Sequence, residues 1–217
     1  MKITAFTASI GNTDRVKDPS FVDPEVRYIA FVDKPLESKI WRSVIVKPEA
    51  DTTRQARRLK ILAHETLPGV DWSLWIDAAY RLDCSPMDIW RIINPRGNEA
   101  AALEHPDRTN IFDEGAVIVQ RNLAPKEKIA AQIEQYRPRM FGQSRLTTTG
   151  LLLRSHDKKT IDFNERWWSL FSYADHNRDQ MSVDMAATCT DGFSIEYLPG
   201  HYRENKFAKW FSHKAGA

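Results

Sequence analysis

The sequence has 217 residues, 42% of them hydrophobic, and a formal net charge of +2. That length suits one sizeable core better than two small ones, and the near-neutral balance excludes a chain-wide field that would demand nucleic acid or an anionic membrane, leaving only local basic patches to attract anions. Cys84 and Cys189, the only cysteines, form no C-x-x-C pair or zinc-ligand spacing, which excludes a disulfide scaffold and points to a reducing cytoplasm.

The opening "MKITAFTASIGN" carries one lysine and a short apolar run, and reads as a first strand rather than a leader. No window approaches the roughly 18 apolar residues of a membrane span, so no integral membrane association is expected. Further strand-like runs follow in "VRYIAFVD" (26–33), "SVIVK" (43–47) and "WSLWID" (72–77). Between the last two lies "DTTRQARRLKILAHETLPG" (51–69), which opens on an Asp or Thr cap and closes on Pro-Gly. Ala56, Leu59, Leu62 and Ala63 recur there at helical spacing. Strand, helix and strand make a βαβ crossover, hence a parallel sheet covered by helices.

Beyond residue 120, "APKEKIAAQIEQYRPRM" (124–140) predicts a helix that Pro138 should end, because proline lacks the amide donor and clashes with the preceding turn. "TTTGLLLRSH" (147–156) predicts a strand; "FNERWWSLFSYAD" (163–175) and "DQMSVDMAATC" (179–189) predict helices. No repeat or long linker divides the chain. The expectation is a single α/β domain over residues 1–217 with a mostly parallel sheet.

In such sheets ligands gather at the carboxyl ends of the strands. Asp33 and Asp77 fall there. Asp33 reads equally as a turn former, but Asp77 follows an apolar strand and precedes two alanines. A charge there needs compensation from a metal ion, a cationic ligand or a hydrogen-bonded turn. On the crossover helix, Arg57, Lys60 and His64 share a face, with Arg54 and Arg58 nearby. That face is either solvated or a cationic wall for a phosphorylated ligand. Trp167 and Trp168 cannot share one helix face, so one belongs to the core and the other to a groove wall. "EHPDRTNIFDEG" (104–115) reads as a polar loop holding His105, Arg108, Asp113 and Glu114, either ordinary surface or a substrate site.

The order of Asp-ended strand, basic crossover helix and "WIDAA" resembles glycosyltransferases of the GT-A class. It resembles most closely the glycosyltransferase-like domain of unknown function 616 family, which includes plant mucilage-synthesis proteins, and more distantly glycogenin and the bacterial lipooligosaccharide galactosyltransferases. "WIDAA" (75–79) stands where those enzymes have Asp-Ala-Asp, with Asp77 retained and Ala79 replacing the second carboxylate. "TTTGLLLR" (147–154) resembles their Asn-x-Gly-x-x-Leu strand at Gly150, with Thr148 in place of the asparagine. "RDQMS" (178–182) resembles an Asp-Gln-Asp run at Asp179 and Gln180. "HYRENKFAKW" (201–210) resembles a terminal His-x-x-Gly-x-x-Lys-Pro-Trp segment at His201, Lys206 and Trp210.

The resemblance implies a GT-A (Rossmann-like) mostly parallel mixed sheet flanked by helices. It implies a nucleotide-sugar donor, UDP-sugars being favoured, held by Asp33, Arg57, Lys60, Asp77, Ala78, Gly150 and Lys206. A divalent metal, Mn²⁺ or Mg²⁺, would sit on Asp77 and His201. Asp179 would activate the acceptor or orient the sugar with Gln180 beside it, unless it merely caps a helix. His105, Arg108, Glu114 and Trp168 would line the acceptor or sugar pocket. With one carboxylate missing, metal affinity without nucleotide should be low; alternatively Arg57 and Lys60 neutralise the diphosphate directly. The competing readings are a nucleotidyltransferase, disfavoured by the single glycine in "SIGNTDRVKD", and a non-catalytic nucleotide- or glycan-binding module of the same fold. The acceptor is a glycan or a DNA base. The tail, with Arg203, Lys206, Lys209 and Lys214 among Tyr202, Phe207, Trp210 and Phe211, either contacts nucleic acid or docks on the domain or a membrane surface.

Overall fold

A computed structural model describes residues 1–11 and 14–211. Three strands, β1 (Ile3–Ser9), β2 (Arg27–Val32) and β3 (Arg42–Ile45), lead into helix α1 (Thr52–Ile61), the short α2 (Ala63–Thr66) and β4 (Trp72–Ile76). There follow β5 (Tyr80–Leu82), α3 (Pro86–Ile93), β6 (Ala100–Glu104), α4 (Ile111–Gln120) and α5 (Lys126–Met140). The chain closes with β7 (Thr147–Ser155), α6 (Lys158–Ala174), α7 (Gln180–Thr188), β8 (Ile195–His201) and β9 (Ala208–Trp210).

Seven strands form one sheet in the order β3-β2-β1-β4-β7-β6-β8, and β5 and β9 form a separate antiparallel pair. The β1–β2, β2–β3, β1–β4 and β6–β8 pairs are parallel, and β7 runs antiparallel to both β4 and β6. The expected α/β, mostly parallel mixed sheet flanked by helices is therefore what the chain adopts. The crossover through α1 does not join neighbours, however: β3 pairs with β2, and β4 pairs with β1. β4 thus lands at the centre of the sheet.

Both faces of that sheet are covered, which is why β7 reads "GLLLR" without alternation. Leu151 and Leu153 face α3 and the β5–β9 pair, with Ile89, Ile93, Leu82 and Phe207 in one cluster. Leu152 faces the opposite layer, where Trp75, Ile61, Phe163, Trp167, Phe171 and Val183 meet. A third cluster joins α4 and α5 to α7 through Ile118, Tyr136, Met140 and Met185.

Pro138 does not end α5, which continues to Met140. The proline is exposed in the last turn, so the one carbonyl that loses its helical donor, that of Glu134, belongs to the exposed face, while Met140 is buried and anchors the terminus. The segment read as a polar loop contains the start of α4, capped by Asn110, whose side chain accepts from Asp113 N at 2.9 Å. α6 begins at Lys158, five residues before its predicted start, because Asp157 caps it through Thr160 N. Lys214 lies outside the described residues.

Two histidines, His176 buried and His156 half-buried, are held in neutral form. His176 accepts from Arg178 N and pairs with Gln132 Oε1, and His156 pairs with Ser73 Oγ. Burial first, and then cations nearby, push both down to about 4. The unfolded chain therefore binds more protons between about pH 4 and 6.5, and the stability these groups contribute, complete above that window, is lost as pH falls through it. Asp184 works the other way, since burial raises its carboxyl to about 6 and the native state keeps that proton longer. Two groups outweigh one. Urea unfolding should show stability falling by about 2 kcal/mol from pH 7 to pH 5 after allowance for solvent screening, with His156→Gln flattening the slope.

Candidate functional site

Alternation along β4 sets the site. Trp75 and Asp77 are two residues apart and share the face that looks toward α1 and α6, while Ile76 enters the other cluster. The Trp75 indole N–H donates to Asp77 Oδ1 at 2.6 Å, and Asp77 N donates to Gly150 O at 2.8 Å. Asp77 O accepts from Tyr80 N at 2.8 Å, closing a turn over Ala78 and Ala79. The Tyr80 ring lies against Gly150, where an added Cβ would meet Cε2 at 2.8 Å; this is the physical reason for a glycine inside an otherwise apolar strand.

Arg57 and Lys60, one turn apart on α1, reach the same point. Asp51 starts that helix by accepting from Arg54 N at 2.8 Å and is itself held by the Asn177 amide at 3.0 Å. Arg57 Nε lies 3.0 Å from Asp179 Oδ1, and Lys60 Nζ lies 2.8 Å from Asp179 Oδ2. Each cation also stands 3.7 Å from Asp77 Oδ1. These are charge contacts rather than aligned hydrogen bonds, since Arg57 Nε and Lys60 Nζ direct no well-angled N–H at an acceptor. The four side chains grade from sealed to open: Lys60 is 0% exposed, Asp179 6%, Arg57 23% and Asp77 29%.

The electrostatics follow from that gradient. Burial pushes the Asp179 carboxyl up, but the charges of Arg57 and Lys60, with a hydrogen bond from the Thr149 hydroxyl, more than offset it and hold it well below the usual range. Burial pulls the Lys60 ammonium down, and the two carboxylates only partly restore it. Burial also lowers the Arg57 guanidinium, but there Asp179 and Asp77 prevail and the net shift is upward.

Asp179 occupies the N-cap position of α7 but makes no capping bond; its side chain turns to the cations instead, while the Trp167 indole N–H donates to its carbonyl at 3.0 Å. Acceptor activation by Asp179, expected from the sequence, does not fit this geometry. A carboxylate so buried, ion-paired and weakly basic is a poor proton acceptor and serves to hold Arg57 and Lys60. Gln180 is half-buried beside it, its Nε2 buried without a partner.

A second cluster adjoins the first. His105 and Glu114 are buried, and Arg108 contacts both, with Nη2 2.6 Å from His105 Nε2 and Nε on Glu114. Arg178, next to Asp179, reaches toward Glu114 at 3.9 Å. Burial and Arg108 keep the His105 ring below its ordinary pKa. Tyr202 packs 5.6 Å from His105 and 6.1 Å from Trp210.

The other expected residues stand apart from these clusters. Asp33 Oδ2 accepts from Gly11 N at 3.3 Å, bracing the end of β1 at the same sheet edge. His64 leaves the face of Arg57 and Lys60, because the helix breaks at Leu62, and pairs with Asn164. Lys206 is exposed, 5.4 Å over Phe207. Of the tryptophan pair, Trp167 is core and Trp168 is half-buried under Arg54. Ala78 offers its carbonyl to Lys17 Nζ at 3.0 Å. Trp75, Tyr80, Thr149 and Lys17 belong to the site without having been singled out; only the spacing of Trp75 and Asp77 offered a sequence signal. A separate hollow of about 430 Å³, bordered by Arg139, Gln143, Arg145, Asp184 and Tyr197, contains none of the four central side chains.

The donor set fits a divalent metal poorly. Among the described residues no group of three or more His, Cys, Asp or Glu side chains is arranged to hold a metal ion. Ala79 is buried in an apolar cluster where a second carboxylate would be needed. His201 Nδ1 accepts from Arg203 N at 3.3 Å, and its Nε2 lies 4.0 Å from Glu204. A dication on Asp77 would sit beside two cations already 3.7 Å away.

Comparison with known proteins gives one family match. The model described as TOD1/MUCI70, glycosyltransferase-like domain, covers residues 6–191, which include every member of the central cluster. No curated protein matches the chain.

Proposed function

The chain belongs to the TOD1/MUCI70 glycosyltransferase-like family, and from that premise we propose that it transfers a sugar from a nucleoside-diphosphate donor, UDP-sugars being favoured, to an acceptor hydroxyl. The observation that carries this reading is the convergence of Arg57, Lys60, Asp77 and Asp179 at the carboxyl edge of the sheet, beside the ends of β1 and β2.

In the reaction the bond from the anomeric carbon to the diphosphate oxygen breaks, a bond to the acceptor oxygen forms, and the acceptor proton passes to the departing diphosphate or to solvent. Negative charge builds on the diphosphate. The partly exposed Arg57 guanidinium is the fixed donor that meets it, and Asp179 holds that guanidinium in place. Asp77 keeps Oδ2 for a hydroxyl of the sugar or ribose, its Oδ1 being taken by Trp75. His105, Arg108 and Glu114 border the acceptor side. A glycan is the preferred acceptor over a DNA base, because the tail aromatics turn inward: Phe207 is buried, and Tyr202 packs on His105 and Trp210.

Thermal-shift titration with UDP-sugars and related donors tests the reading. A donor at a hundredfold excess over Kd should stabilise the chain by about 2.7 kcal/mol, and Asp77→Ala should abolish the shift. Absence of any response to the panel would overturn the donor reading in favour of a binding module for other ligands.

A further inference from the structure

We propose that His105, Arg108 and Arg178 form a site for an anionic oxygen group, carboxylate or phosphate, carried by the acceptor sugar; that the group belongs to the acceptor rests on the donor reading above, whereas the anion site itself does not. The first observation is a contact between two donors. His105 Nδ1 accepts from Asp107 N and from Arg108 N, both at 3.1 Å, so the neutral ring carries its proton on Nε2. That nitrogen lies 2.6 Å from Arg108 Nη2, which also has only protons to offer. Neither side supplies a lone pair, and His105 is buried away from water that could supply one. A ligand oxygen seated against both nitrogens would give each N–H the acceptor it lacks.

The charges point the same way. Among the described residues Glu114 is the only carboxylate at ion-pair distance from either arginine: its Oε2 takes Arg108 Nε, and its Oε1 stands 3.9 Å from Arg178 Nη2, too far for a hydrogen bond. Asp107 pairs with Arg203 instead, at 3.3 Å. Arg108, Arg178 and Glu114 together therefore keep one positive charge, whereas Arg57, Lys60, Asp77 and Asp179 are neutral as a unit. Arg178 Nε is also buried without a hydrogen-bond partner. Side-chain exposure is 17% for Arg108 and 33% for Arg178 against 4% for Glu114, so the two guanidiniums border solvent over a sealed carboxylate. Arg178 directly precedes Asp179, which holds Arg57, and this ties the cluster to the central quartet through adjacent residues. The Tyr202 ring, 5.6 Å from His105, adds an apolar face beside the donors.

Imidazole ¹⁵N NMR of the full chain, titrated with glucuronate, glucose 6-phosphate and glucose, tests this, with His105→Asn assigning the resonance. One of the acidic sugars should shift Nε2 saturably with a Kd about tenfold or more below that of glucose, and the tighter of the two identifies the group. Arg178→Gln should weaken that binding roughly tenfold and Arg178→Lys should restore part of it, melting curves confirming that both variants fold. Saturating UDP should leave the acidic sugar bound. No response to either acidic sugar, or a response equal to that of glucose, would overturn the inference, while a thermal shift with a UDP-sugar would keep the donor reading intact. Displacement of the acidic sugar by UDP would assign the cluster to the donor's diphosphate and overturn the acceptor assignment. Acidic-sugar binding by a chain that answers to no nucleotide would overturn the donor reading and leave the anion site standing.

Discussion

Asp179→Ala should lower the free energy of unfolding by about 3–5 kcal/mol, the range expected when one partner of a buried ion pair is removed. Lys60 is fully buried and has its closest contact, 2.8 Å, with this carboxylate; without it the ammonium faces Asp77 at 3.7 Å across a sparsely polar space. Burial already pulls the Lys60 pKa down, so the variant's lysine should surrender its proton far more readily than an exposed one. Linear extrapolation of urea unfolding measures the loss. Asp179→Asn should lose less, because the amide keeps the volume and a partner for the Thr149 hydroxyl. The double variant Lys60→Met with Asp179→Leu should recover part of the loss, since paired removal of buried charges is far gentler than orphaning one. A change in unfolding free energy within about 0.5 kcal/mol for Asp179→Ala would show that the pair does not exist in solution.

That experiment also separates holding from chemistry. If Asp179 were the acceptor base, Asp179→Asn would abolish turnover and leave donor affinity alone. A residue that holds Arg57 should weaken donor binding as well, because the guanidinium loses the contact that fixes Nε. The low pKa of Asp179 favours the second outcome.

Much of the sheet was legible because its signals are local. β1, β2, β4 and β7 announce themselves as apolar runs, and Asp77 stands out because nothing beside it explains a charge. The Arg57 and Lys60 face was equally readable from its spacing. What escaped notice depends on contacts between segments distant in sequence. β5 and β9 are three residues each and exist only because they pair across more than a hundred residues. β6 reads "AAALE", whose alanines favour a helix in isolation and are forced into a strand by neighbours on both sides. Asp179 looked like a helix cap because caps are short-range, whereas its true partners lie on α1 more than a hundred residues earlier.

Arg154 is the clearest such case, and its replacement by methionine should cost about 2–4 kcal/mol. Within "GLLLR" it looks like the polar end of a strand, yet it is fully buried, and burial pushes its guanidinium down to about 9. Its Nη1 donates to Ile61 O at 3.1 Å and to Asn164 Oδ1, and its Nη2 donates to Lys60 O. Those two carbonyls are the last of α1, which have no amide to meet because the chain turns at Leu62: Glu65 N bonds Leu62 O rather than Ile61 O. A cation at a helix carboxyl end is favourable in itself, and here it also fixes the backbone of Lys60, whose side chain meets Asp179. Arg154→Met fills similar volume but leaves three acceptors buried without donors. Arg154→Lys should restore little, because a single ammonium cannot reproduce the planar fork that spans both carbonyls and Asn164. Urea unfolding gives the stability, and amide exchange should show the end of α1 opening before the sheet does. Donor affinity should fall too, although Arg154 touches no part of the crevice, because Lys60 loses its anchor. Parent-like exchange at the end of α1 in Arg154→Met would show that the guanidinium is not what holds the helix in place.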